Sequence, residues 1–180
     1  MPMQIYRPPV VLPQLHVRHD AEVTVRRARV ADVTRLYEII NYYAARGDML
    51  PKTLDQLYNR VRSFNVAEAG GEVVGCVALQ IVWADMAEVV SLAVHPDFQG
   101  RGLGRQLVEL LYDEISELGI PTLYTLTLQV GFFRSLGFRE VPRLRLPHKI
   151  WQDCVNCAKQ DHCDEIAMVR PVGRADMLES

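Results

Sequence analysis

The chain has 180 residues, 49% hydrophobic and 23% charged, which is enough apolar material for one core and excludes a disordered chain, a collagen and a coiled coil. Acidic residues outnumber basic ones by 22 to 20, and the net charge of −2 lacks the basic surplus of a nucleic-acid binder. The longest apolar stretch, Val73 to Leu79, is about seven residues, against the roughly 20 that a membrane-spanning helix needs.

Residues 1–20 read as an extended arm, because Pro8, Pro9 and Pro13 oppose a helix and with it the apolar helix of a secretory signal. The expectation is a cytoplasmic protein with reduced thiols and neither a membrane nor a nucleic-acid partner. Val23 to Ala28 alternates like a strand. Val33, Leu36, Ile40, Tyr43 and Ala44 then recur at helical spacing from about 31 to 46. Thr53 and Gln56 fit a capping box for a second, short helix whose apolar face is Leu54, Leu57, Tyr58 and Val61.

A hairpin follows, from Phe64–Glu68 through Ala69-Gly70-Gly71 to Val73–Val82, and another strand runs from about Ala87 to Val94. After a glycine-rich loop, Leu103, Leu107, Leu110, Leu111, Ile115 and Leu118 give an amphipathic helix. The remaining elements are a strand at Thr122–Leu128, a short helix around Phe132–Leu136, a strand near Phe138 and a last strand at Ile166–Arg170. This order predicts a mixed α/β (α+β) fold around one sheet. Residues 21–175 form one domain in this reading, with a Cys-containing insert at about 147–164.

The loop Gln99-Gly100-Arg101-Gly102-Leu103-Gly104, between a strand and a helix N-terminus, is chemically an anion cradle. Glycines admit close backbone approach, and the first helical N–H groups and the helix dipole favour a phosphate or pyrophosphate. A Walker loop needs Gly-Lys-Ser/Thr, and a dinucleotide fingerprint needs glycine where Arg105 stands, so neither fits.

Glu88-Val89-Val90-Ser91-Leu92-Ala93-Val94-His95-Pro96-Asp97-Phe98 followed by this loop resembles the acetyl-CoA signature of the GNAT N-acetyltransferases. Gln99, Gly102 and Gly104 match its Gln/Arg-x-x-Gly-x-Gly/Ala pattern. Val25-Arg26-Arg27-Ala28 with Asp32, and Phe132-Phe133-Arg134-Ser135-Leu136-Gly137-Phe138, extend the resemblance. It implies a GNAT fold, with a central mixed, mostly antiparallel sheet of six to seven strands and about four helices. Acetyl-CoA is the implied co-substrate. The backbone from Gln99 through Gly100, Arg101, Gly102, Leu103 and Gly104 to Arg105 would hold its pyrophosphate. Leu92, Ala93 and Val94 would pair with the pantetheine, and Phe133 would lie at the cofactor. The strand of Leu92–Val94 and that of Thr122–Leu128 would splay apart.

The family's chemistry is direct attack by an amine, which needs a carboxylate to take its proton. Glu88 is the candidate. Many members carry a tyrosine as general acid where this chain has Phe133, so Tyr124 and Thr127 are the candidates to serve the departing thiolate, with protonation by water as the alternative. Within the family, Gly47–Tyr58, Ala87–Val94 and Leu126-Thr127 with Phe132-Phe133 resemble the short bacterial N-acetylglutamate synthases of arginine biosynthesis. The implied acceptor is the amine of a small amino acid, L-glutamate foremost, with Lys52 facing a substrate carboxylate. Those enzymes carry Glu-Ile-Arg where this chain reads Glu88-Val89-Val90. The competing readings are an acetyl-CoA sensor without catalysis and an acetyltransferase acting on a protein or polyamine amine. Homodimerisation is a habit of the family.

Of the four cysteines, Cys76 reads as a small core residue, while Cys154, Cys157 and Cys163 have thiolate spacing suited to structural zinc, with His148 or His162 as a fourth ligand. Reduced loop thiols are the competing reading, and a zinc knuckle would make the insert an interaction module. His16 and His95 read as ordinary surface or loop residues.

Overall fold

The computed structural model describes residues 11–12, 14–146 and 163–172. Most of the predicted insert, including Cys154, Cys157, His148 and His162, therefore lies outside the described residues. Among the described residues, seven strands form a sheet of order β1-β2-β3-β4-β5-β7-β6, accompanied by four α-helices. This is the mixed, mostly antiparallel sheet expected from the resemblance. The chain divides into two compact units, Met1–Cys76 with Ala93–Gly104, and Val77–Leu92 with Arg105–Ser180. No helix of the described residues is long and apolar enough to cross a membrane.

In the first unit, β1 (Val23–Arg27) pairs antiparallel with β2 (Phe64–Ala69) from Val23 opposite Ala69 to Arg27 opposite Asn65. A 3-10 turn at Val30–Asp32 precedes α1 (Val33–Ala44), so the helix starts later than periodicity indicates. Val33, Leu36 and Ile40 of α1 are fully buried as the spacing predicts, with Ile39 added to them, while the predicted Tyr43 and Ala44 are only half-buried. The capping box of α2 (Leu54–Arg60) is present. Thr53 Oγ1 accepts the Gln56 N–H at 3.2 Å, and Gln56 Oε1 accepts the Thr53 N–H at 3.0 Å.

Arg26 ties this unit together. Its guanidinium donates to both carboxylate oxygens of Asp32, at 2.8 and 3.0 Å, and its Nε donates to Glu68 at 2.7 Å. The turn from β2 into β3 (Glu72–Trp83) uses Gly70 and Gly71 at φ +55° and +86°. Both values are in the left-handed region that a tight hairpin requires. Gly70 also has a steric reason, since a Cβ there would stand 2.6 Å from Val17 Cγ2 of the arm.

In the second unit, α3 (Leu103–Glu117) buries Leu107, Val108, Leu111 and Ile115 completely, whereas the predicted Leu118 lies past its end and is exposed. Helix α4 (Val130–Ser135) starts two residues earlier than the reading around Phe132. Strand β5 (Thr122–Thr127) pairs antiparallel with β7 (Ile166–Pro171) along its whole length. Strand β6 is only Arg139–Glu140, beside β7. Val82, Tyr124, Leu146, Ala167 and Val169 form a buried cluster, with Met86, Leu126 and Val141 packed against it.

Candidate active site

Strand β4 (Met86–Val94) is the backbone of the site, and two local features shape it. The first is where it stops pairing with β5. Their parallel register covers Met86–Thr122, Ala87–Leu123 and Glu88–Tyr124. One step on, the Thr125 hydroxyl reaches the Val89 carbonyl at 3.3 Å, a side-chain contact in place of a ladder bond. The second is Ser91 at φ +54°, the only described non-glycine residue with a positive φ. Left-handed backbone costs a residue with a Cβ about 1–2 kcal/mol. It falls where burial changes along the strand, from the buried Ala87, Glu88 and Val89 to the half-buried Val90, Ser91 and Leu92. No glycine marks this position; its only signal in the sequence is one serine inside an apolar run.

Glu88 and Tyr124 meet at the last register pair. The two residues are 3% and 1% exposed, and the Tyr124 hydroxyl donates to Glu88 Oε2 at 3.2 Å. The structure thus brings together two of the three predicted catalytic residues of the second unit. The third, Thr127, is buried, and its Oγ1 accepts the Gln129 N–H at 2.8 Å at the entry to α4. A hydroxyl that accepts in this way keeps its own proton to donate. Phe133 is also buried, its ring edge-to-face with Phe132 and Phe138 at 5.0 and 5.2 Å.

The glycine loop follows a 3-10 turn at Pro96–Phe98. Gly100 and Gly102 have φ +73° and +78°, and an added Cβ would meet nothing within 4 Å at either position, so conformation and not space calls for glycine. The polar side chains of this loop are all engaged with protein. Gln99 Nε2 donates to the Tyr43 hydroxyl at 2.7 Å, and Tyr43 in turn donates to the Val94 carbonyl at 2.5 Å. Arg101 donates to the carbonyls of His19 and Ala21 at 2.7 and 3.1 Å. Arg105 reaches the Ser135 carbonyl and hydroxyl at 3.2 and 3.3 Å. What the loop has left for an anion is backbone, at a helix start where the first N–H groups have no intrahelical acceptor.

Tyr43, expected on the apolar face of α1, is only half-buried, and Asn41, for which the sequence gives no role, is buried. Burial, with the neighbouring Tyr42, pushes the Tyr43 phenol up, so it remains a donor at neutral pH. Asn41 is buried and holds the backbone of Lys52 from both sides. Its Nδ2 donates to the Lys52 carbonyl at 2.8 Å, and its Oδ1 accepts the Lys52 N–H at 3.2 Å. The half-buried Lys52 thus projects from a fixed point of the loop between α1 and α2.

His95 is a loop residue, as expected, but not a surface one, for it is only 5% exposed and Nδ1 accepts the Asp97 N–H at 3.2 Å. Burial pushes its imidazole below the ordinary value; Asp97 and Glu72 oppose this, while Arg35 and His19 add to it. The unfolded chain then takes up the proton first as pH falls. This contribution to stability is whole above about pH 6.5 and is lost as pH drops from there through the folded value. His95→Gln is expected to flatten the fall of Tm between about pH 7 and 5.5, as read by thermal unfolding.

Cys76 is fully buried, and desolvation pushes its thiol up to about 12, which makes it a core residue and not a nucleophile. Zinc gains no support. Cys154 and Cys157 lie outside the described residues, and the described residues contain no group of three His, Cys, Asp or Glu able to hold a metal. The Cys163 sulfur has the guanidinium of Arg143 at 3.0 Å, a poor neighbour for a metal cation.

A family model described as an acetyltransferase (GNAT) domain matches residues 60–140. An uncharacterised N-acetyltransferase of Chlorobaculum tepidum is 41% identical over 150 residues, which make up 83% of this chain and 97% of that protein. The chain belongs to the GNAT acetyltransferase family. As a GNAT protein it is an N-acetyltransferase, and further relatives narrow its neighbourhood. An amino-acid acetyltransferase of Mycobacterium tuberculosis is 37% identical over 125 residues, 68% of this chain and 71% of that one. The N-acetylglutamate synthase of Neisseria gonorrhoeae, solved with coenzyme A and N-acetyl-glutamate, superposes with a TM-score of 0.76 at 27% identity. That match covers 86% of this GNAT chain and 36% of the larger synthase.

Proposed function

We propose that this GNAT protein transfers the acetyl group of acetyl-CoA to the α-amine of a small amino acid, with L-glutamate as the preferred acceptor. The observation that carries the mechanism is the carboxylate of Glu88, buried beside the Tyr124 hydroxyl where β4 and β5 cease to pair. The acceptor class is supported by the amino-acid acetyltransferase and N-acetylglutamate synthase among the similar proteins.

In this reading the backbone of Gln99–Arg105 binds the pyrophosphate, and Leu92–Val94 align the pantetheine. An amino acid arrives as an ammonium, which has no lone pair. Glu88 accepts one proton from it, directly or through water, and the neutral amine attacks the thioester carbonyl. An N–H of the Leu92–Val94 backbone stabilises the oxyanion of the tetrahedral intermediate. Collapse forms the amide, breaks the C–S bond and releases the second amine proton. The departing thiolate takes up a proton; with a thiol pKa near about 8.5 it needs less help than the amine does.

Tyr124 already spends its proton on Glu88, which favours a positioning role for it over that of general acid. Thr127, which keeps its own proton, is the better placed of the two to hydrogen-bond the thiolate. Lys52, held through Asn41, is the cation we assign to the acceptor's carboxylate, since Val90 stands where related synthases carry arginine.

A panel of amino acids and polyamines, followed by CoA release, tests this reading. The largest kcat/KM is expected for glutamate. A preference for polyamines overturns the acceptor class, and no turnover on any small amine overturns the proposal.

A further inference from the structure

The side chain of Arg101 has an unusual assignment for a residue in the middle of a candidate phosphate loop, because it binds protein main chain far away in sequence. Its guanidinium donates to the carbonyls of His19 and Ala21 in the N-terminal arm. It also lies over the Phe98 ring, 4.8 Å from the centroid, and the His19 ring stacks on the same phenylalanine at 5.8 Å and 4°. Phe98 is only 1% exposed although its neighbours Asp97, Gln99 and Gly100 are all exposed. The arm is fastened at a second point. The His16 N–H donates to the Glu72 carboxylate at 2.9 Å, and Val17 sits against Gly70 in the hairpin turn. The segment is therefore held at two separate points, the hairpin turn and the glycine loop.

We infer that the arm from His16 to Ala21 is a brace for the glycine loop, and that Arg101 is the positioning residue through which it acts. The inference rests on the reading of this loop as the pyrophosphate cradle. A backbone cradle works only while its N–H groups converge, and two left-handed glycines leave the loop many other conformations. Pinning Arg101 from behind and capping Phe98 remove those alternatives before the ligand arrives, which raises affinity by reducing the ordering cost of binding. The guanidinium is thereby withheld from the phosphates, which are left to the main chain.

The coupling is reciprocal: a ligand that needs the braced loop must in turn stabilise the arm. Hydrogen exchange of the full chain with and without CoA is the direct test. Amides of residues 16–21 are expected to exchange about tenfold more slowly at saturating CoA. His19→Ala, on an exposed arm residue outside the loop, is expected to raise KM for acetyl-CoA about five- to tenfold, more than it changes kcat. Arg101→Ala should do the same, and Arg101→Lys should recover only part, since an ammonium lacks the two-pronged fork. If CoA binds and arm exchange is unchanged or faster, Arg101 is not a brace; faster exchange would mean that it leaves the arm for a phosphate. If the wild-type chain does not bind CoA, the cradle reading falls and the brace falls with it.

Discussion

Glu88→Gln is expected to lower kcat by about 10²–10⁴-fold at neutral pH, the usual contribution of a positioned general base, while KM for acetyl-CoA stays within a few-fold. Glutamine preserves the shape and the bond from Tyr124, so the loss would report proton transfer and not collapse of the site. Raising the pH supplies neutral amine from solution, so the deficit should shrink towards pH 9–10 as the acceptor's own ionisation takes over the work of the base. The measurement is a pH profile of initial rates by thiol release, with both proteins at saturating acetyl-CoA. A deficit below about threefold across that range would remove Glu88 from the mechanism. Tyr124→Phe separates positioning from acid catalysis: it should cost less than Glu88→Gln, and its deficit should disappear in the Glu88→Gln background.

Arg26→Ala is expected to produce the largest loss of stability among single polar substitutions in the first unit. Arg26 stands between two carboxylates, with side-chain exposures of 21% for Arg26, 10% for Asp32 and 26% for Glu68. Removing the cation leaves Asp32 facing Glu68, with the Arg29 N–H still bonded to Asp32 at 2.6 Å. Breaking such a pair from one side costs about 3 kcal/mol or more. For a chain of this size that lowers Tm by roughly 6–12 °C. The guanidinium of Arg26 holds the Asp32 carboxyl below the usual carboxylate range. The pair's contribution is therefore present above about pH 4 and is lost as pH falls through the folded value of Asp32. The gap between wild type and Arg26→Ala should accordingly narrow in acid. A Tm drop under about 2 °C at pH 7 would show that the network is dispensable.

Much of this site is legible in sequence because it is local. The glycine loop, the helix behind it and the Thr53–Gln56 capping box are each encoded within a few residues, and the structure has them where the pattern indicates. The pairing of Glu88 with Tyr124 is different, since the two residues are 36 apart and meet only through a parallel register. A strand-end glutamate and a strand tyrosine carry no mark of each other. Ser91 shows the limit more sharply, because its left-handed backbone is imposed by the surrounding sheet and no local propensity asks for it. The burial of His95 is hidden for a related reason: a polar residue in a loop just after a strand looks exposed until the elements that cover it are known. The engagement of Gln99 by Tyr43, and of Arg101 by the arm, likewise depends on segments that only the fold makes neighbours.

The early end of the β4–β5 register has a consequence beyond catalysis. A strand inside a sheet that pairs along only the first third of one side, as β4 does with β5, is an internal edge, and natural proteins avoid leaving such an edge open to other chains. Here it is shortened by the turn of the backbone at Ser91. A molecule lying along it with amide groups of its own would complete the sheet as well as react there. Occupancy and conformational stability would then be one quantity, with about 2.7 kcal/mol gained at a hundredfold excess of ligand over Kd. The working state of the enzyme would then also be its best-folded one, and substrate depletion would leave this internal edge uncovered.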